Sequence, residues 1–251
     1  MRMSPAASKD SRVDHFRIGP DLNIDSLRAE FASQGRVRIR GFLAEEAVRQ
    51  LADHLAARSD WRQMINSGPK LFELDREIRS SMTPARLSAL DQAVHDGARA
   101  GFQHRYEAVR VPDEMAAREA AEDMLSRFVR FMASKTTLEL VEQVTGISDI
   151  DFADGQATGY ASGDFLTEHD DAVAGKNRRA AYVFGLTPKW RPSWGGLLLF
   201  HQGDRVSGWS PGFNTLDLFA VPQPHSVTMV TPAAAGRRHA VTGWLRAMSG
   251  N

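Results

Sequence analysis

The sequence predicts an α+β fold, with mainly helical residues at 21–147 and a β-sandwich or jelly-roll barrel at 148–251. Before residue 148, apolar residues recur about every 3.6 positions, as they do along one face of a helix. After it they recur at every second position, in short segments separated by Gly, Pro, Asn and Asp, which is typical of sandwiches and barrels. The helices are then expected to pack on one sheet and cover its apolar face.

The composition is that of an ordinary globular protein, with 42% hydrophobic and 25% charged residues in 251. Lys plus Arg and Asp plus Glu both number 31, so we expect neither nucleic acid nor a membrane as a partner. The absence of cysteine excludes disulfide scaffolds, Cys-ligated zinc and thiol catalysis, and it favours a cytoplasmic location. The chain shows neither a run of about 18 apolar residues nor the apolar region of a signal peptide.

We expect residues 1–20 to form a flexible tail and residues 21–251 to form one domain, in which 21–147 support the barrel of 148–251. Thr83 and Pro84 are a typical helix start, and Gly146 is a typical helix end. The predicted elements of this half are a helix around Leu27 and Phe31, a strand at 37–42, a helix at 44–58, strand and turn at 61–72, a helix after Pro84, and a helix at 114–145 broken near Lys135.

Few residues of this half are candidates for chemistry. His54 and His104 lie in helical patterns, where a surface or packed histidine is the ordinary interpretation. Arg36, Arg38 and Arg40 alternate along the predicted strand, so we expect them to form one solvated face.

The second half contains seven predicted short strands. A metal site in the mouth of such a barrel can take its ligands from strands that are distant in sequence. The predicted strands are 149–154, 156–161, 178–187, 196–201, 215–219, 225–231 and 238–245.

Three side chains of this half match a metal site. His169 and Asp171 are two positions apart, so on a strand they would point to the same side, and His225 follows 54 residues after Asp171. Two imidazoles and one carboxylate on a shared face are the ligand set of non-haem Fe(II) oxygenase sites, which leaves positions for a co-substrate and O₂. Asp170 should point away from the metal, Asp171 could instead cap a turn, and His201 is a rival third ligand.

Arg238 is the candidate for an arginine that enters the barrel. It opens the alternating strand at 238–245, and alternation lets only one of Arg237 and Arg238 enter the barrel. Arg238 is preferred because Ala240 and Thr242 on its face are small. A guanidinium suits a buried dicarboxylate because it donates two parallel hydrogen bonds to a carboxylate.

The order His169-x-Asp171, His225 and Arg238 resembles the Fe(II)/2-oxoglutarate-dependent dioxygenase superfamily, in its prolyl-hydroxylase-like branch. The resemblance covers about the last 100 residues, with a fainter match at 35–43. It implies a double-stranded β-helix, or jelly-roll, core, with His169, Asp171 and His225 as iron ligands. It also implies that Arg238 binds the distal carboxylate of 2-oxoglutarate.

Further residues follow from the same resemblance. Tyr160, nine residues before His169, matches a tyrosine that donates to the co-substrate in relatives, and Thr242 is an additional candidate. Gly185 stands where many relatives carry a second tyrosine; Tyr182 could substitute for it, and we assign it no role.

The resemblance implies an enzyme that uses Fe(II), 2-oxoglutarate and O₂ to hydroxylate a C–H bond and releases succinate and CO₂. A prolyl residue or proline-like group is the expected target, in a protein, a peptide or a free amino acid. The alternatives are a jelly-roll metalloenzyme with another metal and no 2-oxoglutarate, using His169, His201 and His225, and an inert barrel that acts as a binding protein.

Overall fold

The fold is that of a computed structural model, which describes residues 15–248. Seven α-helices occur in this range: α1 (Ile24–Gln34), α2 (Glu45–Ala57), α3 (Arg76–Ser80), α4 (Pro84–Ala100), α5 (Met115–Ala120), α6 (Met124–Met132) and α7 (Lys135–Thr145). A short 3₁₀ helix lies at Pro192–Trp194.

Thirteen strands are found in the described residues. They are β1 (Arg36–Arg40), β2 (Arg62–Ser67), β3 (Lys70–Asp75), β4 (His104–Arg110), β5 (Phe152–Ala153), β6 (Gln156–Tyr160), β7 (Phe165–His169), β8 (Arg178–Leu186), β9 (Leu198–Gln202), β10 (Arg205–Trp209), β11 (Phe213–Ala220), β12 (His225–Val227) and β13 (Arg238–Arg246).

The strands form one curled antiparallel sheet. Ten of them follow the order β1-β11-β8-β13-β6-β4-β7-β12-β9-β10, while β2, β3 and β5 lie off this path. The curl brings the two ends of the path together, since Nη2 of Arg36 in β1 donates to Oγ of Ser207 in β10 at 2.7 Å. Together with the helices, this arrangement confirms the predicted α+β fold with a jelly-roll core.

The two faces of β8 separate the helices from the interior of the curled sheet. Tyr182 and Phe184 pack in the large core formed with α1, α2, α6 and α7, where the ring of Phe184 stacks on that of Phe128 in α6 at 4.9 Å. Ala181 and Val183 point the other way and pack with Tyr160. This alternation confirms that the helices cover one face of the sheet.

The predicted helix ends are confirmed where the sequence carries a clear cap. The side chain of Thr83 accepts from the backbone N–H of Arg86, and Pro84 opens α4. Gly146 ends α7 with a positive φ of 74°. The predicted break near Lys135 is also confirmed, because Ser134 caps the start of α7.

Two local predictions are wrong, and one strand lies outside the predicted strands. His104 begins strand β4 rather than lying in a helix, and residues 114–145 form three helices instead of one interrupted once. Strand β10 was not predicted; its glycine-containing sequence pairs with β9 as a hairpin. Short segments such as these are decided by pairing with neighbouring strands more than by their own periodicity.

The predicted solvated face of β1 is also wrong. Arg36 is buried, the side chain of Arg38 is 10% exposed and paired with Asp217, and only Arg40 is exposed. The reason is that β10, at the other end of the curled sheet, covers this face of β1.

Residues 1–14 of the predicted tail lie outside the described residues. Phe16 is buried against Phe128, and Ile18 forms a β-bridge with Leu43. Along residues 15–248 we find no helix with the length and apolar character needed to cross a membrane.

Candidate metal centre

Two histidines face each other across β7 and β12. His169 is the last residue of β7, His225 is the first of β12, and the two are direct antiparallel partners. Their ring centroids are 4.1 Å apart. Sheet pairing therefore brings together two imidazoles that are distant in the sequence.

Asp171 completes this group from the turn that follows β7. Its Oδ1 lies 3.5 Å from Nε2 of His169, and its Oδ2 lies 3.5 Å from Nε2 of His225. The three ligand atoms lie within 4.8 Å of one another, and no other group of three or more potential metal ligands occurs within residues 15–248. The arrangement fits one metal ion with two nitrogen ligands and one oxygen ligand.

Both imidazoles are oriented by backbone carbonyls. Nδ1 of His169 lies 3.0 Å from the carbonyl oxygen of Thr167, and Nδ1 of His225 lies 2.8 Å from that of Gln223. Because a carbonyl oxygen only accepts hydrogen bonds, each Nδ1 carries the proton and each Nε2 keeps its lone pair. The two Nε2 atoms are thus directed toward Asp171 as potential metal ligands.

The electrostatic environment keeps these groups in metal-binding protonation states. Burial lowers the pKa of His225 to about 4, so its ring is neutral at neutral pH. Burial alone would raise the pKa of Asp171, but the adjacent side chains of His169, His225 and Trp244 hold this pKa below its ordinary value. Neutral imidazoles and a charged carboxylate are the forms that bind divalent metals.

The backbone places Asp171 in a way that strand alternation does not explain. Strand β7 ends at His169, and Asp171 has a φ of +64°, in the left-handed region that Asp tolerates better than most residues. Nη1 of Arg178 donates to the carbonyl oxygen of Asp171 at 2.9 Å. The turn, stabilised by Arg178, therefore directs the carboxylate toward the histidines.

The side chains of the rival residues make other hydrogen bonds. Nε2 of His201 lies 2.8 Å from Oγ of Ser226, on the face of the sheet opposite to His225. Oδ1 of Asp170 accepts from the backbone N–H of Ala172 at 3.0 Å. Neither side chain joins the group formed by His169, Asp171 and His225.

A cavity of about 360 Å³ opens beside the three residues and contains Arg238 in its wall. Arg238 is 4% exposed, and its Nη1 is buried without a hydrogen-bond partner. Arg237 points to the other side of β13, where it forms an ion pair with Glu107. The interior position predicted for Arg238 rather than Arg237 is what the structure shows.

Tyr160 and Thr242 line the same cavity. Tyr160 is the direct partner of Arg238 in the pairing of β6 with β13, and the guanidinium carbon lies 5.0 Å from the centroid of the tyrosine ring. Burial raises the pKa of Tyr160, so its hydroxyl stays protonated and can donate to an anion.

Tyr182 does not replace the side chain that Gly185 lacks. Its hydroxyl donates to the carbonyl oxygen of Asp154 at 2.8 Å, on the helix side of the sheet. At Gly185 itself, a Cβ atom would lie 2.5 Å from the carbonyl oxygen of Gly212. The local backbone therefore requires glycine at position 185.

The sequence does not predict several polar and aromatic residues of the cavity wall as site residues, among them His104, Tyr106, Arg178 and Trp244. His104 and Tyr106 are two positions apart on β4, so a period of two in this segment could have identified them. The guanidinium of Arg178 lies 3.5 Å from the centroid of a Trp244 ring, a contact between strands that sequence alone does not give.

The side chains of this cavity fit a metal ion together with an acidic ligand. The two free Nε2 atoms and the Asp171 carboxylate are suited to Fe(II). A buried guanidinium with an unpartnered N–H calls for an anion, because an unsatisfied buried charge is unfavourable. A carboxylate bound by Arg238, with Tyr160 beside it, would satisfy that N–H.

Comparison with known proteins agrees with this interpretation. Residues 155–246 match the model of the 2OG-Fe(II) oxygenase superfamily, where 2OG is 2-oxoglutarate. The match confirms the resemblance found in the sequence and indicates a 2OG-Fe(II)-dependent oxygenase, for which the superfamily implies Fe(II), 2-oxoglutarate and O₂. No curated protein matches the chain.

Solved structures share the fold at low sequence identity. A prolyl-4-hydroxylase of Pseudomonas putida aligns with a TM-score of 0.56 and 18% identity over 89% of this chain and 98% of its own. A 2OG-Fe(II) oxygenase family oxidoreductase of Burkholderia pseudomallei gives 0.57 and 15% over 94% and 95%. A Trichoplax adhaerens prolyl hydroxylase, in complex with a peptide fragment of hypoxia inducible factor, gives 0.58 and 15% over 91% and 93%.

Protonation of His104 should destabilise the metal-free protein in mild acid. Burial, followed by the nearby His169 and Arg110, lowers the pKa of His104 from 6.5 to about 4. Between these values the unfolded chain binds a proton that the native protein does not, so the free energy of unfolding falls as pH drops from about 6.5 toward 4. Urea unfolding of the wild type and His104→Phe at several pH values measures this effect.

The variant should show a shallower dependence on pH in this range, by at most about one proton per molecule. Between pH 7 and 8 the free energy of unfolding should change with pH equally in the wild type and the variant, and this range serves as the internal control. Equal slopes for both proteins between pH 4 and 6.5 would contradict the assigned burial of His104.

Proposed function

We propose that this protein is an Fe(II)- and 2-oxoglutarate-dependent dioxygenase that hydroxylates a C–H bond of a prolyl residue or a proline-like group. One observation carries the proposal: the group of His169, Asp171 and His225 shares a cavity with the unpartnered guanidinium of Arg238. This combination suits a metal and a dicarboxylate at the same time.

Each side chain has a defined role in this proposal. Nε2 of His169, Nε2 of His225 and the carboxylate of Asp171 hold the iron, and their protonation states need no change for binding. Arg238 binds the distal carboxylate of 2-oxoglutarate, while Tyr160 and Thr242 contact the same co-substrate. When bound, iron, 2-oxoglutarate and O₂ supply an oxidative decarboxylation that yields succinate and CO₂ and places one oxygen on the substrate.

The remaining wall of the cavity supports a substrate with an apolar ring. Phe102 is 49% exposed and Val173 is 49% exposed, and both lie in the wall together with Trp244. Aromatic and aliphatic side chains near an opening favour binding of an apolar ring such as that of proline. The solved prolyl hydroxylases with this fold agree with such a substrate.

Loss of any metal ligand should abolish iron-dependent binding and turnover of 2-oxoglutarate. His169→Ala, Asp171→Ala and His225→Ala each remove one of three ligands. Anaerobic titration with Fe(II) and then 2-oxoglutarate should give a visible charge-transfer band in the wild type and none in the variants. Asp170→Ala is the matched control and should behave as the wild type; a normal band in any of the three would remove that residue from the site.

Arg238→Ala should chiefly weaken binding of 2-oxoglutarate. A charge-assisted hydrogen bond contributes about 1.5–3 kcal/mol, so the apparent affinity should fall by roughly ten- to a hundredfold. Isothermal titration of the iron-loaded protein measures this change, and iron affinity itself should be retained. Arg237→Ala, on the other side of the strand, is the control; unchanged affinity in Arg238→Ala would exclude the assigned role.

Substrate class can be tested with peptides that differ in one residue. The iron-loaded protein, supplied with 2-oxoglutarate and O₂, should add one oxygen atom to a proline-containing peptide, as mass spectrometry would show. The same peptide with alanine in place of proline should gain no oxygen. If proline-containing peptides do not increase succinate formation, the result would count against a prolyl target. It would not count against the assignment to the oxygenase class.

A further inference from the structure

Three charged side chains line one small cavity in the interior of the sheet, next to the paired strands β1 and β11. Arg38 in β1 and Asp217 in β11 are direct partners in the sheet, and their side chains are 10% and 3% exposed. Arg238, at the start of β13, is also buried. All three line a second, very small cavity of about 10 Å³. Two buried cations are therefore close to a single buried anion.

Arg38 occupies both oxygens of Asp217. Its Nε donates to Oδ1 at 2.6 Å and its Nη2 donates to Oδ2 at 2.7 Å, which is the bidentate geometry of a strong arginine–carboxylate pair. Its Nη1 donates to the carbonyl oxygen of Ser210 at 2.8 Å, and the guanidinium lies over the ring of Trp209. Hydrogen bonds from Nε, Nη1 and Nη2 and the contact with Trp209 therefore hold the guanidinium of Arg38 in place.

Arg238 is left without such a partner. Its Nη1 is buried and unpaired, although Asp217 lines the same small cavity. Burial lowers the pKa of Arg238, and the negative charge of Asp217 is among the groups that oppose this shift. The two charges therefore attract each other while Arg38 holds the carboxylate.

Arg238 and Asp217 line the same small cavity. Its wall includes the small residues Gly185, Gly212 and Ala240 together with larger side chains such as Leu198 and Trp209. Without Arg38, Asp217 would be a buried charge with no partner, which is strongly unfavourable. Arg238 is the other cation that lines this cavity, so it is the side chain that would turn toward the unpaired carboxylate.

We propose that Arg38 is a positioning residue for co-substrate binding: by saturating Asp217, it keeps the guanidinium of Arg238 free for the distal carboxylate of 2-oxoglutarate. This inference rests on the proposed function of the main cavity. It assigns a role to a side chain that does not itself contact the co-substrate.

The test is Arg38→Met in the full chain, with the anaerobic, iron-loaded protein titrated with 2-oxoglutarate by calorimetry. The variant should bind 2-oxoglutarate at least about tenfold more weakly, because Arg238 is drawn to Asp217. Iron affinity and the rate at saturating 2-oxoglutarate should stay close to those of the wild type. Unchanged affinity for 2-oxoglutarate would overturn the inference.

A second substitution separates this role from a merely structural one. In Arg38→Met/Asp217→Leu the competing carboxylate is also removed, so the affinity for 2-oxoglutarate should return toward the wild-type value. Replacement of a buried ion pair by apolar side chains is often tolerated. A double variant as weak as Arg38→Met, or weaker, would show that Arg38 only supports the fold and would overturn the inference.

Arg36→Met is the matched control. Arg36 is buried on the same face of β1, but it donates to Ser207 and does not line the small cavity, so its loss should leave the affinity unchanged. A weakening equal to that of Arg38→Met would assign the effect to disturbance of β1 and overturn the inference.

Two further outcomes are distinguishable. If Arg38→Met does not fold, Arg38→Lys carries the same test. A single ammonium cannot bind both carboxylate oxygens of Asp217, so Arg38→Lys should also bind 2-oxoglutarate more weakly. Wild-type affinity in Arg38→Lys would then overturn the inference.

A wild type that binds iron but no 2-oxoglutarate would contradict the proposed function itself. Normal binding by both the wild type and Arg38→Met would contradict only the role of Arg38.

Discussion

The pairing of β7 with β12 is the constraint on which the rest of the site depends. It makes His169 and His225 direct cross-strand partners and brings their rings within 4.1 Å. Because both Nδ1 atoms are held by backbone carbonyls, the Nε2 atoms have one direction available, toward the carboxylate of Asp171. A shift of one residue in this register would turn one histidine to the outer face of the sheet, where His201 lies.

The curl of the sheet brings Arg238 to the cavity of the metal-binding group, which strand pairing alone does not do. Strand β13 lies three steps from β7 along the sheet, yet Arg238 and the metal-binding group share one cavity because the sheet folds over itself. The same curl buries the inner face of β1 against β10, so that the interior holds several arginines. Their charges have to be balanced by Asp217 or by an acidic ligand, which links the architecture to the chemistry of the co-substrate.

Sequence reasoning succeeded where the signal was local. The caps at Thr83 and Gly146 depend on neighbouring residues only, and the alternation from Arg238 onward correctly separated the inward Arg238 from the outward Arg237. It failed for His104 and for Arg38. A period of two divides a strand into two faces, but it does not tell which of them another strand will cover.

By itself the sequence determined the order of the chemically active residues, the change from helical to strand periodicity, and hence the class of fold. Only the tertiary structure decided how Asp171 is aimed, since a left-handed turn rather than strand alternation directs it. It also decided that Arg38 meets Asp217, a residue 179 positions away. Contacts at such separations arise from the closure of the whole sheet, and no local pattern of residues encodes them.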